Sequence, residues 1–234
     1  MMKYTMLVLA IAICMTGASA AIIQETHGPV AMPAYVTTPF TLQQLVLPQF
    51  NTAQGTLLGV QISFSGTLLG SLKFENLENQ PVDMTWTLTG NLSLSQGGTN
   101  LVTVGPGTNG GENGLPAWDG VNDYAGQSGR TLTPSASASG NASLSYLFDN
   151  LTPYKGTGNV TLMVAANGAA SVQGTTGTGQ SEFQVSTGVQ GIGSATITYT
   201  YDNLEVEGPS VPEPASLFAL GLGIFLLTSY LRKK

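Results

Sequence analysis

The chain has 234 residues, 42% of them hydrophobic and only 9% charged, with 30 glycines and a single cysteine. Between Ala21 and Gly208, three basic residues (Lys73, Arg130 and Lys155) face twelve acidic ones, a net charge of −9 with His27 neutral. That sign repels phosphate backbones and argues against a nucleic-acid partner, while the Gly-, Ser- and Thr-rich, charge-poor composition argues against helical bundles and chain-wide disorder and favours an all-β class.

In chain order, Lys3 supplies a positive n-region, Tyr4 to Met15 an apolar h-region, and Ala18-Ser19-Ala20 a small-residue cleavage site. Residues 1–20 therefore read as a secretory signal peptide cut between Ala20 and Ala21. About a dozen apolar residues fall short of the roughly 20 that span a bilayer, which weighs against a permanent membrane helix at this end. Cys14 leaves with the signal. Ile11, Ala12 and Ile13 before it do not form a lipobox, so the mature chain is expected to lack disulfides and Cys-ligated metal. His27, the only histidine, falls in the expected mobile new N-terminus, a poor place for a catalytic triad or a zinc site.

From Tyr35 onward, β-branched and hydroxyl residues alternate with apolar ones between Gly, Asn and Pro breaks. The predicted strands are 56–65, 67–74, 82–94, 141–147, 158–166, 181–186 and 195–201. The period of two puts Trp86 with Leu88, and Ile197 with Tyr199 and Tyr201, on inward faces, with Trp86 expected in the core. An antiparallel β-sandwich over residues 21–208 is the simplest way to bury these faces. Three strand ends repeat an aromatic, an acid, Asn and Leu: Phe74-Glu75-Asn76-Leu77, Phe148-Asp149-Asn150-Leu151 and Tyr201-Asp202-Asn203-Leu204. Burial of the aromatic followed by an Asx-type turn explains each copy; gathered carboxylate–amide pairs would be the calcium alternative.

Residues 105–130 break the β-pattern and read as an ordered, Gly-rich insertion. Asp119, Asn122 and Asp123, with Glu112 nearby, offer the hard oxygen atoms that calcium prefers, although they miss the EF-hand spacing. A solvated loop is the plainer account. Trp118 and Tyr124 are a candidate stacking platform for sugar rings or, alternatively, a small local core. A glycosidase needs two carboxylates at the right separation, and Glu112, Asp119, Asp123, Asp149 and Glu182 are available, with nothing in the sequence to select a pair. No Walker or Rossmann glycine pattern joins a strand to a helix.

Leu47-Pro48-Gln49-Phe50-Asn51, followed by Gly55-Thr56-Leu57-Leu58-Gly59-Val60-Gln61-Ile62-Ser63-Phe64-Ser65-Gly66, resembles the opening of choice-of-anchor E domains. The resemblance implies a secreted β-rich bacterial domain carried by alternative surface anchors, and it brings no catalytic residues.

At the far end, Val211-Pro212-Glu213-Pro214 precedes the apolar run 215–231 and the basic cluster Arg232-Lys233-Lys234. As a helix the run is about 25 Å long, at the short end of the spanning range. The prolines stop it on one side, and the basic cluster keeps the other in the cytoplasm. Residues 209–214 are expected as a linker and 215–234 as a single transmembrane helix with a basic stop. A Pro-Glu-Pro signature, a membrane helix and a basic end in that order resemble the PEP-CTERM sorting signal of Gram-negative bacteria that make extracellular polysaccharide. The resemblance implies processing by an exosortase-type enzyme, with Val211 to Pro214 as recognition residues of a substrate. It also implies inner-membrane anchoring before processing, and the cell surface or extracellular matrix afterwards. A plain tail anchor is the alternative. The functional expectation is a non-enzymatic structural or adhesive matrix protein associated with polysaccharide. The rival is a carbohydrate-binding module or carbohydrate-active enzyme. No cofactor is expected beyond the calcium candidate.

Overall fold

Along Thr56–Asn76 almost every second side chain is buried, from Leu57 and Val60 through Ile62, Phe64 and Leu68 to Leu72 and Phe74. This strict alternation makes the segment a strand with one face in the core. The computed structural model describes residues 21–176, 179–180 and 182–203. They form β1 (Ala21–Ala31), β2 (Val36–Thr37), β3 (Phe40–Pro48), β4 (Thr56–Asn76), β5 (Val82–Gln96) and β6 (Thr99–Val104). Then come β7 (Gly107–Leu115), β8 (Gly129–Leu132), β9 (Ser135–Ser145), β10 (Asn159–Thr176), β11 (Gly179–Gln180) and β12 (Phe183–Asn203). Residues Ile22–Asp202 make one compact unit; the other, Met1–Ala21 with Asn203–Lys234, lies almost wholly outside the described residues.

Two antiparallel sheets result. The first runs β1-β12-β4-β8, with β2 also on β12 and β9 also on β4; the second runs β11-β10-β5-β6, with β3 also on β10 and β7 also on β5. Their inner faces share a core: Ile62, Phe64, Ile197 and Tyr199 from the first sheet pack in one cluster with Leu88, Leu92, Leu162 and Val164 from the second. Phe50 and Tyr154 belong to the same cluster, and the Phe50 ring lies 5.8 Å from that of Tyr199 and 4.9 Å from that of Tyr201. A smaller cluster of Phe74, Met84 and Leu115 fills the other end, with Trp86 packed against both.

The all-β expectation holds, and several boundaries change. The predicted strands 56–65 and 67–74 are one strand, β4, which passes through Gly66 without a break; a Cβ there would stand 3.0 Å from Leu92. Likewise residues 183–186 of the predicted strand 181–186 and all of 195–201 belong to one strand, β12, where a Cβ on Gly193 would come within 2.9 Å of Phe64 and 3.1 Å of Val164. These glycines let the two sheets approach closely and do not mark turns. Of the predicted strand 141–147, residues 141–145 belong to β9, which starts earlier and ends at Ser145, and 146–147 fall in the turn that follows. His27 sits in β1, not in a mobile end: its ring meets Tyr199 edge-on at 5.8 Å, and Nε2 lies 3.0 Å from Glu25 Oε1. Trp86 is half-buried and not a full core residue.

The Gly-rich insertion is also partly scaffold. Its first half is β7, paired with β5 from Val82 to Thr89, and its end opens β8 on β4. Trp86 stands directly opposite Gly110, and its ring covers that glycine so closely that a Cβ would lie 2.5 Å from Cζ2. A bulky ring over a bare backbone compensates for the missing side chain and holds a glycine-rich segment in the sheet.

The sequence expectations for the signal peptide, the cleavage residues Ala18 and Ala20, the Pro-Glu-Pro linker and the apolar run with its basic end fall outside the described residues. Among the described residues no helix is long and apolar enough to cross a membrane.

Candidate functional site

The loop from Pro116 to Ser128, between β7 and β8, holds most of the side chains singled out in the sequence. Its attachment begins at the end of β4. Asn76, fully buried, donates from Nδ2 to the carbonyls of Gln80 (3.0 Å), Leu115 (3.3 Å) and Pro116 (2.8 Å), while its Oδ1 accepts from the Glu78 N–H at 2.9 Å. The last of these is the Asx turn expected at this motif, and the Nδ2 bonds tie the end of β7 to the end of β4. The Asn150 copy makes the same turn, with Oδ1 accepting from Thr152 N at 3.0 Å. There the aromatic expectation fails. The N–H groups of Phe148 and Asp149 both donate to Ser145 O, the chain turns out of the sheet, and Phe148 is 87% exposed. The third copy lies within β12 as far as Asn203, with Tyr201 buried.

Glu75, between Phe74 and Asn76, was not selected by sequence reasoning as a site residue. It is completely buried: Ser128 Oγ donates to its Oε1, and Oε2 has no hydrogen-bond partner among the described residues. Ser128 is equally buried. Its Oγ accepts from Asp119 N at 3.3 Å and its carbonyl from Asn76 N at 3.0 Å. On alternation alone Glu75 would face solvent with Lys73, but the loop folds over that face of β4 and covers it. The only signal in the sequence was its place in the aromatic-acid-Asn-Leu repeat.

Asp119, Asn122 and Asp123 sit along this loop. Asp119 Oδ1 accepts from Val121 N at 3.1 Å and Oδ2 from Gln127 N at 3.3 Å, so its carboxylate braces both ends of the loop. The Val121 N–H is the main reason its pKa lies below the ordinary carboxylate value; desolvation opposes it, and the Gln127 and Ser128 bonds assist. Asp123 Oδ1 accepts from Ala125 N at 2.8 Å, and Asn122 is exposed. Among the described residues no group of three or more His, Cys, Asp or Glu is placed to hold a metal ion. Trp118 is 47% exposed and donates from its backbone N to Glu78 O at 2.8 Å; Tyr124 is half-buried with φ of 57°.

The other carboxylates considered for glycoside chemistry lie on separate elements: Glu112 in β7, Asp149 in the turn after β9, and Glu182 just before β12. Glu112 on β7 is held by Arg130 on β8, whose Nε lies 2.9 and 3.1 Å from its two oxygens and whose Nη2 also donates to Oε1. This bidentate pair links the second sheet to the first across their open side. Asp149 Oδ2 accepts from Ser145 N at 2.8 Å, capping its own turn. Glu182 is exposed, and its N–H donates to Glu78 Oε1 at 2.8 Å. Four of the five candidates, Glu112, Asp119, Asp123 and Asp149, are thus engaged in holding local structure.

Against this scaffold of structural carboxylates, the informative match to known proteins lies at the C-terminal end. Residues 210–234 match the family model of the PEP-CTERM protein-sorting motif. The chain carries a PEP-CTERM sorting motif. It contains Val211, Pro212, Glu213 and Pro214, the apolar run and Arg232, Lys233 and Lys234, and it implies export, membrane anchoring before processing, and an exosortase-type processing enzyme. No curated protein matches the chain. Among solved structures, it is similar to the D431N mutant VP2 protein of infectious bursal disease virus in derived T=1 particles, with 11% identity over 84% of this chain and 40% of that one, at a TM-score of 0.16. The VP2 subviral particle of the same virus gives 9% identity, 84% and 42% coverage and a TM-score of 0.16. The chain spans less than half the length of each, and at these scores the likeness carries no argument about fold or function.

Proposed function

We propose that this chain is a non-enzymatic structural or adhesive component of the bacterial surface or its polysaccharide matrix, delivered there by its PEP-CTERM motif. The division that goes with this reading is a signal peptide over 1–20, a β-sandwich over 21–208, a linker over 209–214 and a membrane helix with basic stop over 215–234. The observation that carries it is the sorting motif at 210–234. The likeness of 47–66 to choice-of-anchor E domains suits the same address. The engagement of Glu112, Asp119, Asp123 and Asp149 in turns and an ion pair supports a scaffold over a hydrolase.

The test is fractionation of a host that makes exosortase, comparing the wild-type chain with Pro212→Ala/Glu213→Ala. The wild type is expected in the surface or matrix fraction and the variant in the inner membrane. Equal surface delivery of both would refute sorting through the motif. Hydrolysis of the host's polysaccharide by the purified chain, lost in a Glu112→Gln/Asp119→Asn variant that melts normally, would replace the scaffold reading with the enzymatic one.

A further inference from the structure

On the outer face of the second sheet, both flanking strands carry a bulge at the same level. β3 pairs Gln43 with Val164 and Phe40 with Ala166, so Thr41 and Leu42 together oppose the one residue Ala165. β6 pairs Val102 with Leu94 and Asn100 with Ser95, which leaves Leu101 as the extra residue. Between the two bulges, Ala165 lies opposite Ser93, and Asn167 opposite Asn91. Bulges bend a strand, sharpen its twist and re-aim side chains. Here they frame a concavity of about 620 Å³, open to solvent, lined by Thr41, Asn91, Ser93, Asn100, Ala165 and Asn167 among others. That volume falls within the range of about 300–1,000 Å³ typical of ligand sites.

Two features point to a ligand. Every lining residue is uncharged, in a domain whose carboxylates far outnumber its cations. The carboxamides of Asn91 and Asn167, directly opposed and exposed, make no hydrogen bond among the described residues.

We propose that this concavity binds a neutral polysaccharide segment. Each carboxamide offers both a donor and an acceptor, matching hydroxyls that are themselves both. Ala165 gives apolar surface to the C–H face of a sugar ring. The absence of charge suits a neutral chain, whereas the net field of the domain disfavours a polyanion. An open trough fits a polymer better than an enclosed small molecule. The proposal rests on the matrix reading for the source of the glycan, and on the sheet geometry for the site.

The experiment is affinity electrophoresis of the full-length chain in gels containing dextran, galactomannan or alginate. Retardation by dextran or galactomannan is expected, and Asn91→Ala/Asn167→Ala should weaken it about tenfold, the loss of roughly 1.4 kcal/mol of hydrogen bonding. Ala165→Gln, which fills the trough from a different residue, should do the same. These side chains face outward, so melting temperatures should stay at the wild-type value. No retardation by either neutral polymer, retardation by alginate alone, capture of unstructured peptide in place of glycan, or unchanged retardation in both variants would overturn the site. Retardation that survives while the Pro212→Ala/Glu213→Ala chain still reaches the matrix would overturn the sorting account alone.

Discussion

If the Trp86 ring holds the Gly-rich strand β7 in place, the ring and Gly110 must be energetically coupled. An Ala Cβ at position 110 would stand 2.5, 2.7 and 3.0 Å from Cζ2, Cε2 and Nε1 of Trp86, closer than such contacts allow, so Gly110→Ala must displace the ring. Overpacking of this kind costs about 1–3 kcal/mol. Trp86→Ala removes a half-buried ring that packs against both core clusters, at about 2–4 kcal/mol, somewhat below the cost for a fully buried aromatic. In the Trp86→Ala background the clash is gone, and alanine is favoured over glycine in a strand by roughly 0.5 kcal/mol. The double variant should therefore lose about 2 kcal/mol less than the sum of the single losses. Gly111→Ala is the control: its Cβ would meet the Met84 carbonyl oxygen at 2.6 Å, so its cost should persist in both backgrounds. Urea denaturation followed by far-UV circular dichroism reads all five variants. Additivity of Trp86→Ala and Gly110→Ala within about 0.5 kcal/mol would refute the role given to the ring.

Burial, followed by the charge of Asp149, raises the Tyr154 hydroxyl from its ordinary 10.0 to about 12. Because the folded pKa is raised, this stability is present below pH 10 and lost as pH climbs towards 12; the loss is roughly 2–3 kcal/mol, and Tyr154→Phe should flatten that part of the alkaline stability profile. Tyr199 OH donates to Pro48 O at 2.7 Å, so Tyr199→Phe should cost about 1–2 kcal/mol in urea denaturation by leaving that carbonyl unpaired. Ser128→Ala, although in a loop, should cost about 2 kcal/mol or more, because it removes the one hydrogen bond that the described residues make to the buried carboxyl of Glu75. A loss below about 0.5 kcal/mol would show that water reaches Glu75.

The inward faces were legible wherever apolar residues alternate: Ile197 and Tyr199 are fully buried and Tyr201 nearly so, as the period of two requires. Strand lengths were not legible, because Gly66 and Gly193 look like breaks in one dimension while in three they admit Leu92, Phe64 and Val164. Strand β7 was hidden for a related reason. Gly107-Thr108-Asn109-Gly110-Gly111 has little β-propensity of its own and is held by pairing with β5 and by a tryptophan that lies more than twenty positions earlier. The Asx turns at Asn76 and Asn150 are local and could be read directly; the exposure of Phe148 depends on where β9 ends. Asp119 and Asp123 were correctly placed in a loop as oxygen-rich side chains, but composition cannot show that Val121, Gln127 and Ala125 already occupy those oxygens. The bulge at Thr41-Leu42 exists only in register with Ala165, so no single-strand pattern could reveal it.

The account turns on delivery and processing through the motif at 210–234, and intact-mass spectrometry of the protein recovered from the extracellular matrix tests it most directly. The predicted species begins at Ala21 and lacks Arg232, Lys233 and Lys234. A matrix-derived chain that still ends in Lys234 would contradict the account.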